Sequence, residues 1–460
     1  MGRRTMMVIG LDCAAPELVF DRYRDAMPNL SALMERGTWG ALRSSEPPIT
    51  VPAWTCMVSG RDAGELGLYG FRNRIVGDTR LRLASGDDVR VKRVWDWLGE
   101  HGYRVAPLFV PLTSPPTPVH GQMVSGFMWP GGDSPWCFPR DLETELTGRF
   151  GHYRADVEGF RSGDLDRIYR EIVAMTEQHA DIAAHVWSEK QPDFMMMVEI
   201  GLDRFHHAFW RHIDPGHPRH EAGNPWEHLG RDYYRLLDAQ IGRLCGLAGE
   251  DSAVLVVSDH GARAMRGGFS INDWLIRRGY LVLRKNPAPS TPWDSALIDW
   301  RHTAAWAEGG YYARVFLNVR GREPEGIIPP DEIRSVRARL RDELEHARDD
   351  EGDPISVLVR VPEEDYRQTR GFPPDLMVYF DDLKLRAIGS MGSGRTIVTE
   401  NDIGLDACNH AWNGVFVMSG AELPARGRVE GAQIYDIAPT ILSAFGVPRP
   451  PEILGRDWTR

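Results

Sequence analysis

MMVIGLDC, residues 6–13, decides the reading of the fold. A short apolar run closed by Gly10, Leu11 and an acid reads as a strand buried on both faces, as in a parallel sheet. The same design recurs in FMMMVEI at 194–200, AVLVVS at 253–258 and VFVMSG at 415–420. Helix-like amphipathic segments lie between or beside these runs, at Leu30–Glu35, Val91–Gly99, Leu165–Lys190 and Tyr233–Leu247. The alternation predicts a doubly wound α/β body, a mostly parallel sheet with helices on both faces.

Residues 281–400 differ in being rich in Pro, Arg and Glu. Helix-like charge patterning around Ile333–Arg348 and strand signals at Tyr312–Val319 and Leu376–Phe380 make this stretch a smaller inserted lobe. The expected core is then residues 1–280 and 401–460. A Pro-rich interruption, PLTSPPTPVHG at 111–121, followed by FMWPGGDSPW, is expected to form a loop over one sheet edge.

A chain of 460 residues exceeds the size at which one core usually stops growing, which fits a large domain carrying a smaller lobe. A net charge of -11 argues against a nucleic-acid polymer or an anionic membrane as the main partner. An anionic substrate would have to be attracted by a local site. Five cysteines, odd in number and without paired spacing, argue against a disulfide framework. With no signal-peptide core and no run of eighteen apolar residues, a cytoplasmic, unanchored protein is the expectation.

Acids and imidazoles follow the strand-like runs at once: Asp12 after the first, Asp203 after the second, Asp259 and His260 after the third. The carboxyl ends of strands in an open α/β sheet converge on one crevice, where ligands bind. Asp203 and His207 are four apart and share a helix face, a spacing suited to one metal ion, with His206 as the rival. His410 precedes the fourth run. Any one such Asp serves equally well as a turn former or helix cap; their joint occurrence at strand ends is what points to a site. Oxygen and imidazole donors without thiolate suit zinc, with manganese the alternative.

In SSEPPITVPAWTCMVSG, Pro52 suits an early position in a helix running to about Ser59. Thr50 then sits just before the helix N-terminus, where free N–H groups and the dipole favour a phosphate.

Together these residues resemble the alkaline phosphatase superfamily, particularly its type I phosphodiesterase/nucleotide pyrophosphatase branch and the related predicted phosphohydrolase/phosphomutase group. The carriers are IGLDC, PPITVPAWTCMVSG, GLDRFHH, VVSDHG, NHAWNG and the closing IYDIAPTILSAFGVPRPPEILGR. The resemblance implies a nucleophilic Thr50 and two divalent metal ions. Asp12, Thr50, Asp259 and His260 would hold one ion, and Asp203, His207 and His410 the other. It also implies a small-molecule phosphate ester as substrate.

A sulfatase is disfavoured, because Thr50 stands where that signature carries Cys or Ser and Trp54 where it carries Arg. Ala53 stands where nucleotide pyrophosphatases usually show Asn. Beside Thr50 no cation is in view, which favours phosphodiester or pyrophosphate-type substrates over monoester dianions. Arg72, Arg74, Arg263 and Arg266 are the candidate substrate-binding cations. The rival functions are a phosphomonoesterase, a phosphomutase and a noncatalytic metal-dependent binding protein.

Overall fold

In the computed structural model, which describes residues 4–75 and 77–460, the strand Met6–Leu11 is buried along its whole length. Parallel partners flank it on both sides, Phe194–Glu199 with Met6 opposite Phe194, and Ala253–Val257 with Met6 opposite Ala253. Its side chains alternate between two apolar cores. Met7, Ile9 and Leu11 join the helices Leu165–His185, Gly201–Ile213 and Leu229–Ala248, whereas Met6 and Val8 join Thr50–Ser59 and Ile437–Ala444. Period-two alternation within an apolar run is what lets one strand feed two helical layers.

Among the described residues the sheet has ten strands. Val105–Val110 extends the parallel set beyond Phe194–Glu199, and Met123–Ser125 beyond that. The antiparallel pair Cys137–Phe138 closes this edge, so the Pro-rich stretch runs along the rim. On the other side Asn413–Ser419 pairs antiparallel with both Ala253–Val257 and Thr38–Arg43.

Helix boundaries move slightly from the pattern. Leu165–His185 is α-helical and continues as a π turn over Val186–Lys190, while the segment expected at Tyr233–Leu247 spans Leu229–Ala248. No helix among the described residues is long and apolar enough to cross a membrane.

A second sheet, of seven strands among the described residues, lies between Gly267–Ser270 and Ile397–Val398 in the chain. It has its own core around Phe269, Trp306, Phe316 and Phe380. Its first strand precedes residue 281, because Gly267–Ser270 pairs with Leu385–Ile388 rather than with the larger sheet. Where the two sheets face each other, a cleft of about 530 Å³ opens, bordered by Ile49, Tyr69, Tyr311 and Arg386 among others.

Candidate metal centre

Asp12 leaves the end of the first strand and is fully buried. Trp54 donates its indole N–H to Asp12 Oδ2 at 2.7 Å, leaving Oδ1 without a partner. Gly10 makes this possible: a Cβ there would lie 2.5 Å from the Trp54 ring. Asp259 shows the same division. Its Oδ1 accepts from the Cys13 backbone N–H at 3.3 Å, and its Oδ2 is free. Asp203, in the first turn of Gly201–Ile213, gives Oδ2 to Arg204 at 2.6 Å and keeps Oδ1 free.

The imidazoles follow a matching rule. His260 Nδ1 is on Gly261 O at 3.0 Å, His410 Nδ1 on Pro48 O at 2.8 Å and His207 Nδ1 on Asp406 Oδ1 at 2.8 Å. Every Nε2 therefore points inward, and a fixed Nδ1–H is how a metal-ligating histidine is oriented. The strand Cys408–Ala411 sets His410 in place by pairing with Gly261–Ala264, which stacks the His260 and His410 rings at 3.7 Å.

The free atoms converge. His260 Nε2 lies 3.5 Å from Asp12 Oδ1 and 3.2 Å from Asp259 Oδ2. Asp203 Oδ1 lies 3.3 Å from His207 Nε2 and 3.6 Å from His410 Nε2. Among the described residues two groups could hold a metal ion by distance, Asp12 with Asp259 and His260, and Asp203 with His260 and His410. Buried acceptors without a donor are costly, and a cation bound among them removes that cost.

Charge points the same way except at His207, where burial is outweighed by Asp406, Tyr311 and Asp203, which raise the imidazole well above its usual range. Burial, with Asp203 adding to it, pushes the Asp12 carboxyl well above its usual range, and burial together with Asp12 does the same to Asp259. At Asp203 burial is outweighed by the His207 and Arg204 cations, which hold it well below. Burial brings His260 down to about 4, and burial with His260 alongside pushes His410 down as well. Those two rings are neutral at physiological pH, the form that ligates a metal.

His206 is turned away, its Nε2 on Tyr234 OH at 3.0 Å inside the helical core. Thr50 is the first residue of Thr50–Ser59, is buried, and has its Oγ1 3.3 Å from His260 Nε2. The first intrahelical bond runs from Ala53 N to Ile49 O, so Pro52 occupies a position that needs no N–H.

The four arginines read from the sequence separate. Arg72 borders the cleft. Arg74 is buried on Glu323 at 2.5 Å, Arg263 pairs with Asp382 at 2.5 Å and Arg266 with Asp381 at 3.1 Å, all three away from the cleft lining. Sequence reasoning missed Arg161, Arg314 and Arg386, which border the cleft, and Tyr311, whose ring stacks on His410 at 3.7 Å with its OH 3.2 Å from His207 Nε2. No motif marks them, since they come from a loop and from the inserted sheet.

Asp406 was also missed. Besides His207 it takes Arg161 at 2.9 Å and Arg386 at 3.5 Å. Asp406→Asn is expected to weaken metal binding by about 10–100-fold, the usual cost of losing a carboxylate behind a ligating histidine. Metal titration by calorimetry checks it, and an unchanged affinity would show that Asp406 does not orient His207.

The fold has solved counterparts. Phosphonoacetate hydrolase from Sinorhizobium meliloti 1021, in complex with phosphonoacetate, is 16% identical with a TM-score of 0.62, covering 96% of each chain. Human ectonucleotide pyrophosphatase / phosphodiesterase 5 is 11% identical with a TM-score of 0.59, covering 99% of this chain and 98% of its own. No curated protein matches the sequence. The model of the type I phosphodiesterase / nucleotide pyrophosphatase family matches residues 6–403. The chain therefore belongs to the type I phosphodiesterase / nucleotide pyrophosphatase family, whose members hydrolyse phosphate-ester bonds.

Proposed function

We propose that this protein is a two-metal phosphohydrolase that works through a covalent phospho-threonine on Thr50. Asp12, Thr50, Asp259 and His260 would hold one ion and Asp203, His207 and His410 the other. Zinc is the first candidate, given the oxygen and imidazole donors. The observation that carries the reading is that three buried carboxylates and His410 each present one unpartnered atom to a common space beside the Thr50 hydroxyl.

Two divalent cations bound there would stabilise negative charge on the attacking and leaving oxygens. Thr50 Oγ attacks phosphorus, a P–O bond to threonine forms, and the bond to the leaving oxygen breaks. Water then cleaves the phospho-threonine, which returns Thr50 and releases the phosphoryl product. Free N–H groups of the first turn of Thr50–Ser59, with the positive end of its dipole, add to the attraction for the phosphoryl oxygens.

Phosphodiester or pyrophosphate-type substrates are favoured. Ala53 carries no charge and Trp54 spends its N–H on Asp12, so nothing in that turn neutralises the second charge of a monoester dianion. The arginines of the cleft stand on the His207 side instead. With metal-loaded protein, 4-nitrophenyl phosphate and bis(4-nitrophenyl) phosphate are the matched pair, and the diester is expected to give the higher kcat/KM. A tenfold or greater preference for the monoester, about 1.4 kcal/mol of transition-state binding, would sink this assignment.

A further inference from the structure

We infer that Arg161 and Arg386 form a binding site for a second anionic group of the substrate, a carboxylate or phosphate carried on the part of the molecule that leaves. The inference rests on the phosphohydrolase reading and adds the chemical class of the leaving group.

The first observation is charge. In a chain of net charge -11, the cleft beside the metal centre is bordered by four arginines, Arg72, Arg161, Arg314 and Arg386, against two carboxylates, Glu308 and Asp402. Those acids are engaged, Glu308 with Arg314 at 3.7 Å and Asp402 with the backbone N–H groups of Gly389 and Ser390 at 3.1 Å each. Arg161 and Arg386 share one counter-ion, Asp406, which is also claimed by His207. One carboxylate facing two guanidinium groups leaves a positive excess.

The second observation is a vacant donor. Arg386 is 6% exposed, and its Nε–H has no hydrogen-bond partner. A buried, charged donor without an acceptor is costly, and the cost disappears when an anion enters. The guanidinium carbon lies over the Tyr311 ring, 4.8 Å from the centroid, and Nη1 is 3.5 Å from Asp406, so it is held from two sides. A fixed fork of N–H groups suits a planar carboxylate or a phosphate.

The third is position. Tyr311 separates the arginines from the centre: its ring lies on His410, its OH is 3.2 Å from His207 Nε2, and Arg161 Nη2 is 3.4 Å from that OH. Thr50 lies beside His260, whose ring stacks on His410 at 3.7 Å, as the Tyr311 ring also does. In an in-line displacement the nucleophile and the leaving oxygen lie on opposite sides of phosphorus. A phosphoryl group approached from Thr50 thus turns its leaving group towards the arginines.

The test measures binding to the metal-loaded Thr50→Ala protein by calorimetry, with ethyl phosphate, phosphoglycolate and ethylene glycol bisphosphate as probes. These share a phosphoryl group and differ in carrying a neutral, a carboxylate or a phosphate tail. At least one anionic tail is expected to bind thirtyfold or more tightly than ethyl phosphate, and the tighter of the two identifies the chemistry. In Arg386→Met the preference should shrink to less than threefold, and in Arg386→Lys it should return in part. Metal content is measured alongside.

Arg386 is the better first target because Asp406 keeps Arg161 when it is lost. If Arg386→Met does not fold, Arg161→Gln must show the same collapse. Equal binding of all three probes, or a preference that survives both substitutions, overturns the inference. Failure of the phosphohydrolase reading is seen separately, as the absence of turnover of any aryl phosphate ester by the metal-loaded wild-type protein.

Discussion

Thr50→Ala is expected to lower kcat/KM by about 10⁴-fold or more while leaving most of the bound metal, because a covalent route has no substitute for its nucleophile. The carboxylate and imidazole donors of both groups remain. Asp12 stays anchored by Trp54, Asp259 by the Cys13 N–H, and His260 by Gly261 O, none of which involves the Thr50 side chain. Thr55 and Ser59 are the controls within the same helix. Their hydroxyls bond back to Val51 O at 2.7 Å and Thr55 O at 2.6 Å, so both are turned to the helix backbone. Alanine at either position should change kcat/KM by less than tenfold. Steady-state rates on an aryl phosphate ester, with metal analysis of each variant, decide the matter, and near wild-type activity in Thr50→Ala would falsify the nucleophile assignment.

The core was legible in the sequence because its strands are buried on both faces and therefore read as continuous apolar runs. Met6–Leu11 and Ala253–Val257 could be taken almost directly from composition, and the acids that follow them mark the crevice. The Asp203–His207 spacing was legible too, since a helix admits only one geometry for residues four apart. Asp406, Arg161 and Arg386 were not legible. They come from two loops and one strand of the inserted sheet, far apart in the chain, and only the folded chain brings them together at His207.

Trp54 failed for a different reason. A tryptophan in an apolar helix reads as packing, and nothing local reveals that its N–H ends on Asp12 or that Gly10 clears its path. The candidate cations chosen by proximity in sequence, Arg74, Arg263 and Arg266, have carboxylate partners contributed by distant segments.

Asp203→Ala and His207→Ala should each lower bound metal by about one ion per chain, and Asp203→Ala should cost on the order of 10³-fold in kcat/KM, the several kcal/mol expected from losing one metal's charge stabilisation. Asp203 is the more demanding test, since its free Oδ1 faces both His207 and His410. Its removal does not strand Arg204, which keeps Asp156 through bonds of 2.6 and 3.0 Å, so metal loss can be separated from unfolding. Asp203→Asn keeps the volume and removes only the charge, and is expected to lose the same ion. His206→Ala is the counter-experiment. That ring is buried against Tyr234 and Trp210 on the far face of the helix, so its loss should lower the melting temperature while metal content holds. Elemental analysis of purified variants separates the cases. Equal metal loss in His206→Ala and His207→Ala would mean that the helix face turned towards Asp203 is not what selects the ligand.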